Sequence, residues 1–177
     1  MEENVLGHID KVFEGLAFEF VWQNVTSELI EEAKNFWVSE NAIPASGDVE
    51  SRARQLMVVV RDSEHKIIAV STAECLPIPQ LLNNMFYYFR CFVSSSRRQE
   101  GLLMEMCHKA REYTHPQFLS GENTEAKGFY YSLESEILRE MRTEAVLTVG
   151  GIDHSFIGLD NRGRRLFVGW FDGATID

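Results

Sequence analysis

The stretch Phe92-Val93-Ser94-Ser95-Ser96-Arg97-Arg98-Gln99-Glu100-Gly101-Leu102-Leu103 decides how this chain is read. Before it, Phe86 to Val93 is a run of aromatic and β-branched residues, the composition of a strand. After it, Leu102, Leu103, Met106, Cys107, Ala110 and Tyr113 recur at helical period and mark one apolar face. The unit is therefore strand, polar basic loop, helix. Such a loop is a physical device for holding phosphate, because the first-turn N–H groups of the helix have no partners within the helix and the macrodipole favours negative charge there. Arg97 or Arg98 adds a charge-assisted contact, and Gly101 lets backbone approach closely. The plainer reading, a capped helix with two solvated arginines, fits the loop alone equally well.

Upstream, Ala17 to Gln23 reads as a first strand. Thr26 as N-cap, Glu28 in the first turn, and Leu29, Ile30, Ala33, Phe36 and Trp37 at helical spacing predict a helix after it. Asn41 to Arg54, with Pro44 and Gly47, reads as a loop holding at most a short helix. Leu56 to Arg61 and Lys66 to Glu74 form a hairpin about the polar turn Asp62-Ser63-Glu64-His65, and Pro77 and Pro79 are expected to break its second arm. The connector Leu76 to Met85 is apolar enough to serve as a substrate wall or to pack against the first helix.

Downstream, a short strand is expected near Phe118 and Leu119. Asn123 then caps a predicted helix with apolar positions Ala126, Phe129, Tyr130, Leu133 and Ile137. Val146 to Val149, Ser155 to Leu159 and Leu166 to Phe171 read as strands, the last two joined by the turn Asp160-Asn161-Arg162-Gly163. Helices interleaved with strands predict an α/β (α+β) domain in which a mixed sheet is covered by helices.

With 177 residues, 45% of them hydrophobic, the chain is long enough for one good core and short for two, so a single domain over residues 1–177 is expected. A net charge of −10 disfavours nonspecific binding to nucleic acid or to an anionic membrane. The acidic start Met1-Glu2-Glu3-Asn4 and the lack of a long apolar run predict a soluble, cytoplasmic protein. Cys75, Cys91 and Cys107 are too widely spaced for a zinc site or a disulfide framework and are expected as free thiols, with no metal.

The loop Arg98-Gln99-Glu100-Gly101-Leu102-Leu103, with Val93 ahead of it, resembles the coenzyme A loop of the GNAT N-acetyltransferases. That family places valine at the strand end, then Gln or Arg, two residues, Gly, one residue, and Gly or Ala; Leu103 departs from the small residue. Asn123, Ala126, Phe129-Tyr130 and Leu133 are similar to the family's later helix. The resemblance covers about Phe18 to Leu133, and the last strands fit the closing hairpin by order.

The resemblance implies a mostly antiparallel mixed sheet with helices on both faces and a coenzyme A slot between two splayed central strands, the one ending at Val93 and a neighbour near Phe118. It further implies an acyltransferase that takes acetyl-CoA, or another acyl-CoA, as co-substrate and passes the acyl group to an amine on a small molecule or peptide. Backbone N–H groups near Phe92 and Val93 would then receive the thioester carbonyl, Arg98 to Leu103 the pyrophosphate, and Asn123 and Tyr130 the pantetheine arm. Tyr130 would be the general acid toward the leaving thiolate.

A general base for the amine is not marked by the resemblance. Glu74 is the candidate, against the plain reading of a solvated glutamate. His108 and His154 receive no role. Glu40, Asp48 and Glu50 are further acidic residues able to attract a cationic amine, but a surface of this charge carries many such residues and they identify no substrate. Two other readings stay open: a non-catalytic acyl-CoA-binding module on the same fold, and a synthase of acyl-chain signals on a related one. Trp170 and Phe171 serve either the core or a homodimer contact.

Overall fold

The computed structural model describes residues 13–42, 48–98, 101–134, 143–149 and 152–176. Its elements run β1 (Ala17–Phe20), α1 (Ser27–Ser39), α2 (Val49–Ala53), β2 (Leu56–Arg61), β3 (Ile67–Ile78), β4 (Asn84–Val93), α3 (Leu102–Ser120), β5 (Gly128–Ser132), β6 (Val146–Val149), β7 (Ile152–Leu159) and β8 (Arg165–Trp170). The strands are hydrogen-bonded in the order β1-β2-β3-β4-β5-β8-β7-β6. Among the pairs with a resolved register, β4 with β5 is parallel, and β1–β2, β5–β8, β6–β7 and β7–β8 are antiparallel. The mixed, mostly antiparallel sheet is as expected.

Two compact units divide the chain: Met1–Ser71 with Cys91–Met106, and Thr72–Arg90 with Cys107–Asp177. In the first, Thr26 caps α1 by accepting from the Leu29 N–H at 3.2 Å. Leu29, Ile30, Ala33, Phe36 and Trp37 put the apolar face of α1 into a core with Ala53, Leu56, Val59, Ile67 and Val70. At about 25 cal/mol per Å² of apolar surface removed from water, this burial is what holds α1 in place. The hairpin turns where the sequence predicts, with Asp62 Oδ1 accepting from the Glu64 and Lys66 N–H groups.

In the second unit, Ile78, Phe86 and Val168 form one core cluster, and Leu133, Leu147 and Phe167 another. Trp170, half-buried, meets Phe86 edge-on at 5.0 Å, and the buried Phe171 packs among Tyr87, His115, Phe118 and Phe129.

Three local expectations are corrected. β3 runs through Pro77 to Ile78, because a proline withholds one N–H and does not by itself end a strand. Phe118 and Leu119 lie in α3, which continues past Pro116 to Ser120. Phe129, Tyr130 and Tyr131 lie in β5, where the sequence predicts a helix capped by Asn123. Aromatic pairs fit a helix face and a strand alike; pairing with β4 and β8 on either side decides for the strand.

Candidate functional site

The loop after β4 belongs to the first unit. Ser94 closes the strand, its N–H donating to the Ile68 carbonyl at 2.8 Å, and Ser95–Arg97 make one 3-10 turn. The Ser94 hydroxyl donates to Glu40 Oε1 at 2.6 Å, and the Ser95 N–H donates to Glu40 Oε2 at 2.9 Å. Arg97 reaches Asp62 Oδ2 at 3.3 Å. Arg98 is exposed. Gln99 and Glu100 lie outside the described residues.

Gly101 takes φ +86°, a conformation that favours glycine, and its carbonyl accepts the Glu105 N–H at 2.9 Å as the first bond of α3. Leu102 is buried, whereas Leu103 is exposed and turns its side chain away from the core. Among the described residues of this loop, Arg98 and the start of α3 are the groups whose chemistry suits a phosphate. Phe92, two residues before the loop, is anchored by Phe36 at 5.7 Å, which steadies the strand end at Val93.

In the second unit, β4 and β5 pair through Tyr87 with Phe129 and Tyr88 with Tyr130. Beyond that point β4 runs on to Val93, while Tyr131 and Ser132 pair with Phe167 and Leu166 of β8. The central neighbour of β4 is accordingly β5, not a strand near Phe118. Tyr130 is half-buried, with its ring 5.3 Å from that of Tyr88. Burial, then the neighbouring Tyr88 and Asp160, push its phenol above the ordinary value, and Arg164 opposes them. A phenol so placed rests protonated, the state a proton donor needs.

Tyr88 Oη lies 3.4 Å from Ser132 Oγ, and Arg90 lies over the Tyr88 ring at 5.0 Å. Asn123 is not brought to this group. Its amide donates to Tyr87 Oη at 3.2 Å, on the other face of the sheet, since successive side chains of a strand alternate. Glu74 sits half-buried on β3.

The other acidic residues singled out in the sequence are occupied. Glu40 holds the loop, Asp48 Oδ1 caps α2 by accepting the Ser51 N–H, and Glu50 pairs with Lys34 and Arg54. Among the described residues, no group of three His, Cys, Asp or Glu side chains is arranged to hold a metal ion. No described helix is long and apolar enough to cross a membrane. A cleft of about 790 Å³ in the second unit is lined by His108, Arg111, Glu112, His115 and Asp172 among others, but these largely satisfy one another: Arg111 and His115 pair with Asp172, and His108 with Glu112.

No protein-family model matches the chain, and no curated protein matches it by sequence. Solved structures do. Tetrahymena GCN5 superposes with a TM-score of 0.54 at 12% identity, over 91% of this chain and 99% of that one. A GNAT-family acetyltransferase from Listeria monocytogenes gives 0.50 at 14% identity, over 86% and 93%. The fold is that of the GNAT acetyltransferases. A chain of the NatC complex bound to Gag peptide and CoA gives 0.52 at 9% identity, over 87% and 96%. At such identities the likeness concerns the GNAT fold.

On this GNAT fold, four residues near the sequence-predicted site had no strong signal in the sequence. Tyr88 stands beside Tyr130, with Arg90 over its ring and Ser132 Oγ near its hydroxyl, because β4 and β5 pair in this register. Glu40 precedes the loop by more than 50 positions and reaches it through the fold. Alternation along Phe86 to Val93 was the one available clue, since it puts Tyr88 and Arg90 on a common face.

Proposed function

We propose that this chain is a single-domain N-acyltransferase that moves an acyl group, acetyl in the simplest case, from acyl-CoA to an amine by direct attack in a ternary complex. The observation that carries the reading is the strand–loop–helix at Val93 to Leu102 on a GNAT fold, with Arg98 exposed and Gly101 in the conformation that opens α3. The donor set suits a pyrophosphate: a cationic side chain and first-turn N–H groups, with the Leu103 side chain turned outward. The residues from Arg98 to Leu103 would hold it, Gln99 and Glu100 among them.

Acyl-CoA supplies a thioester, a carbonyl already activated toward attack. The protein's part is to place and to move protons. Backbone N–H groups near Phe92 and Val93 receive the carbonyl oxygen as it gains negative charge, which favours the transition state over the ground state. Glu74 takes a proton from the ammonium form of the acceptor, a bond forms from nitrogen to the acyl carbon, and the carbon–sulfur bond breaks. Tyr130 donates its phenolic proton to the departing sulfur, and the second proton that the nitrogen loses as the amide forms restores the Tyr130 phenol. An amine acceptor, on a small molecule or on a peptide such as the one the NatC structure carries, fits this chemistry.

The test is calorimetric titration of the protein with acetyl-CoA and free coenzyme A, followed by turnover with a panel of amines. Micromolar binding is about −8 kcal/mol. Loss of about 10²-fold in kcat for Tyr130→Phe, with binding retained, marks the acid. No binding by well-folded protein overturns the reading. Binding without turnover of any amine leaves an acyl-CoA-binding module.

A further inference from the structure

We infer that Glu40 is the positioning residue of the coenzyme A loop, an inference that rests on the function proposed above. Glu40 is the C-cap of α1 and no part of the loop motif. Both of its carboxylate oxygens are spent on the loop: Oε1 accepts from the Ser94 hydroxyl at 2.6 Å and Oε2 from the Ser95 N–H at 2.9 Å. Two charge-assisted bonds from one planar group to consecutive residues fix direction as well as distance.

Ser94 is the joint they act on. It is buried, its N–H is held by the Ile68 carbonyl, and its hydroxyl also lies 3.0 Å from Ser96 Oγ. One turn further, Arg97 is tied to Asp62, whose carboxylate is itself held by the hairpin turn. The chain thus leaves the core at Ser94 in a set orientation and is tied again at Arg97. Arg98, the next residue along, is exposed. Ordering this segment in advance spares a phosphate ligand the entropy of ordering it on binding.

The Ser94 hydroxyl, the Ser95 N–H and Arg98 also keep the Glu40 carboxyl ionised by holding it below the usual carboxylate range. A carboxylate near Arg98 has an opposite effect to weigh, since it repels an incoming phosphate. The two roles predict opposite signs on removal. If Glu40 sets the loop, its loss weakens coenzyme A binding; if it only occupies anion-binding groups, its loss tightens it.

The experiment compares wild type, Glu40→Ala and Glu40→Gln, each first checked for folding by thermal melting. Free coenzyme A is titrated by calorimetry, and acetyl-CoA kinetics are measured at saturating amine. Glu40→Ala is expected to raise Kd and the KM for acetyl-CoA about tenfold, the size of one lost ordered contact, with little change in kcat. Glutamine can still accept from the Ser95 N–H and donate to the Ser94 hydroxyl, so Glu40→Gln is expected to recover most of that loss.

Equal or tighter binding by Glu40→Ala overturns the inference while leaving the proposed function standing. Failure of wild type itself to bind overturns the proposed function, and the inference with it. Should Glu40→Ala not fold, Ser94→Ala removes the hydroxyl donor alone; weaker binding supports the inference and unchanged binding overturns it.

Discussion

The imidazole of His154 on β7 lies against Gly169 of its partner strand β8, so close that a Cβ on Gly169 would overlap the ring atoms Cε1 and Nδ1. His154 is almost fully buried and packs beside Tyr131 at 5.2 Å. The ring has no room to retreat. Gly169→Ala is expected to destabilise the fold by about 1–3 kcal/mol, the usual cost of overpacking a core, and urea denaturation measures it.

The same burial makes stability pH-dependent. Burial, with Arg111 nearby, lowers the His154 imidazole from 6.5 to about 4, and Asp153 only partly opposes this. Between these values the unfolded chain binds a proton that the folded one refuses, so stability is complete above about pH 6.5 and falls as pH drops toward 4. The loss reaches about 3 kcal/mol below pH 4, at 1.36 kcal/mol per unit. Urea midpoints at pH 7 and pH 5 test it: His154→Leu should flatten the difference, and an undiminished difference would assign it to other groups.

Arg97 and Arg98 are neighbours with different surroundings. Arg97 is paired with Asp62 at 3.3 Å, and Arg98 stands exposed. Arg98→Ala is expected to weaken coenzyme A binding about tenfold, and Arg97→Ala several times less. Both are read by calorimetry at low and high salt, the Arg98 effect shrinking as salt screens it.

Arg61 ties β2 to two other elements. Its side chain is only 14% exposed, and the guanidinium meets Glu19 of β1 at 3.1 Å, Glu32 of α1 at 2.8 Å and the His65 carbonyl at 3.0 Å. Arg61→Ala should cost about 2 kcal/mol, moderated because both glutamates can still reach water. Lysine cannot reproduce the planar fork, so Arg61→Lys should recover less than half of this in thermal denaturation.

Local features of the fold were legible in the chain itself. The Thr26 cap, the polar turn at Asp62, the turn at Asp160 and the passage from strand through basic loop into α3 all depend on residues within a few positions of one another. Turn and cap hydrogen bonds form between such neighbours, so their side chains announce them.

Phe129-Tyr130-Tyr131 carries no such announcement. Its aromatic spacing suits either period, and only the hydrogen bonds from β4 and β8 made it a strand, moving Tyr130 from an expected helix into the sheet and Asn123 to the opposite face. Glu40 is the sharper case: one acidic residue among 27, separated from Ser94 by the whole hairpin, and distinguished only when folding turns its two oxygens onto the loop. The sequence by itself determined what neighbouring residues can do for one another; the tertiary structure decided which distant ones meet, because strand pairing and side-chain contact across the fold depend on partners that no local pattern names.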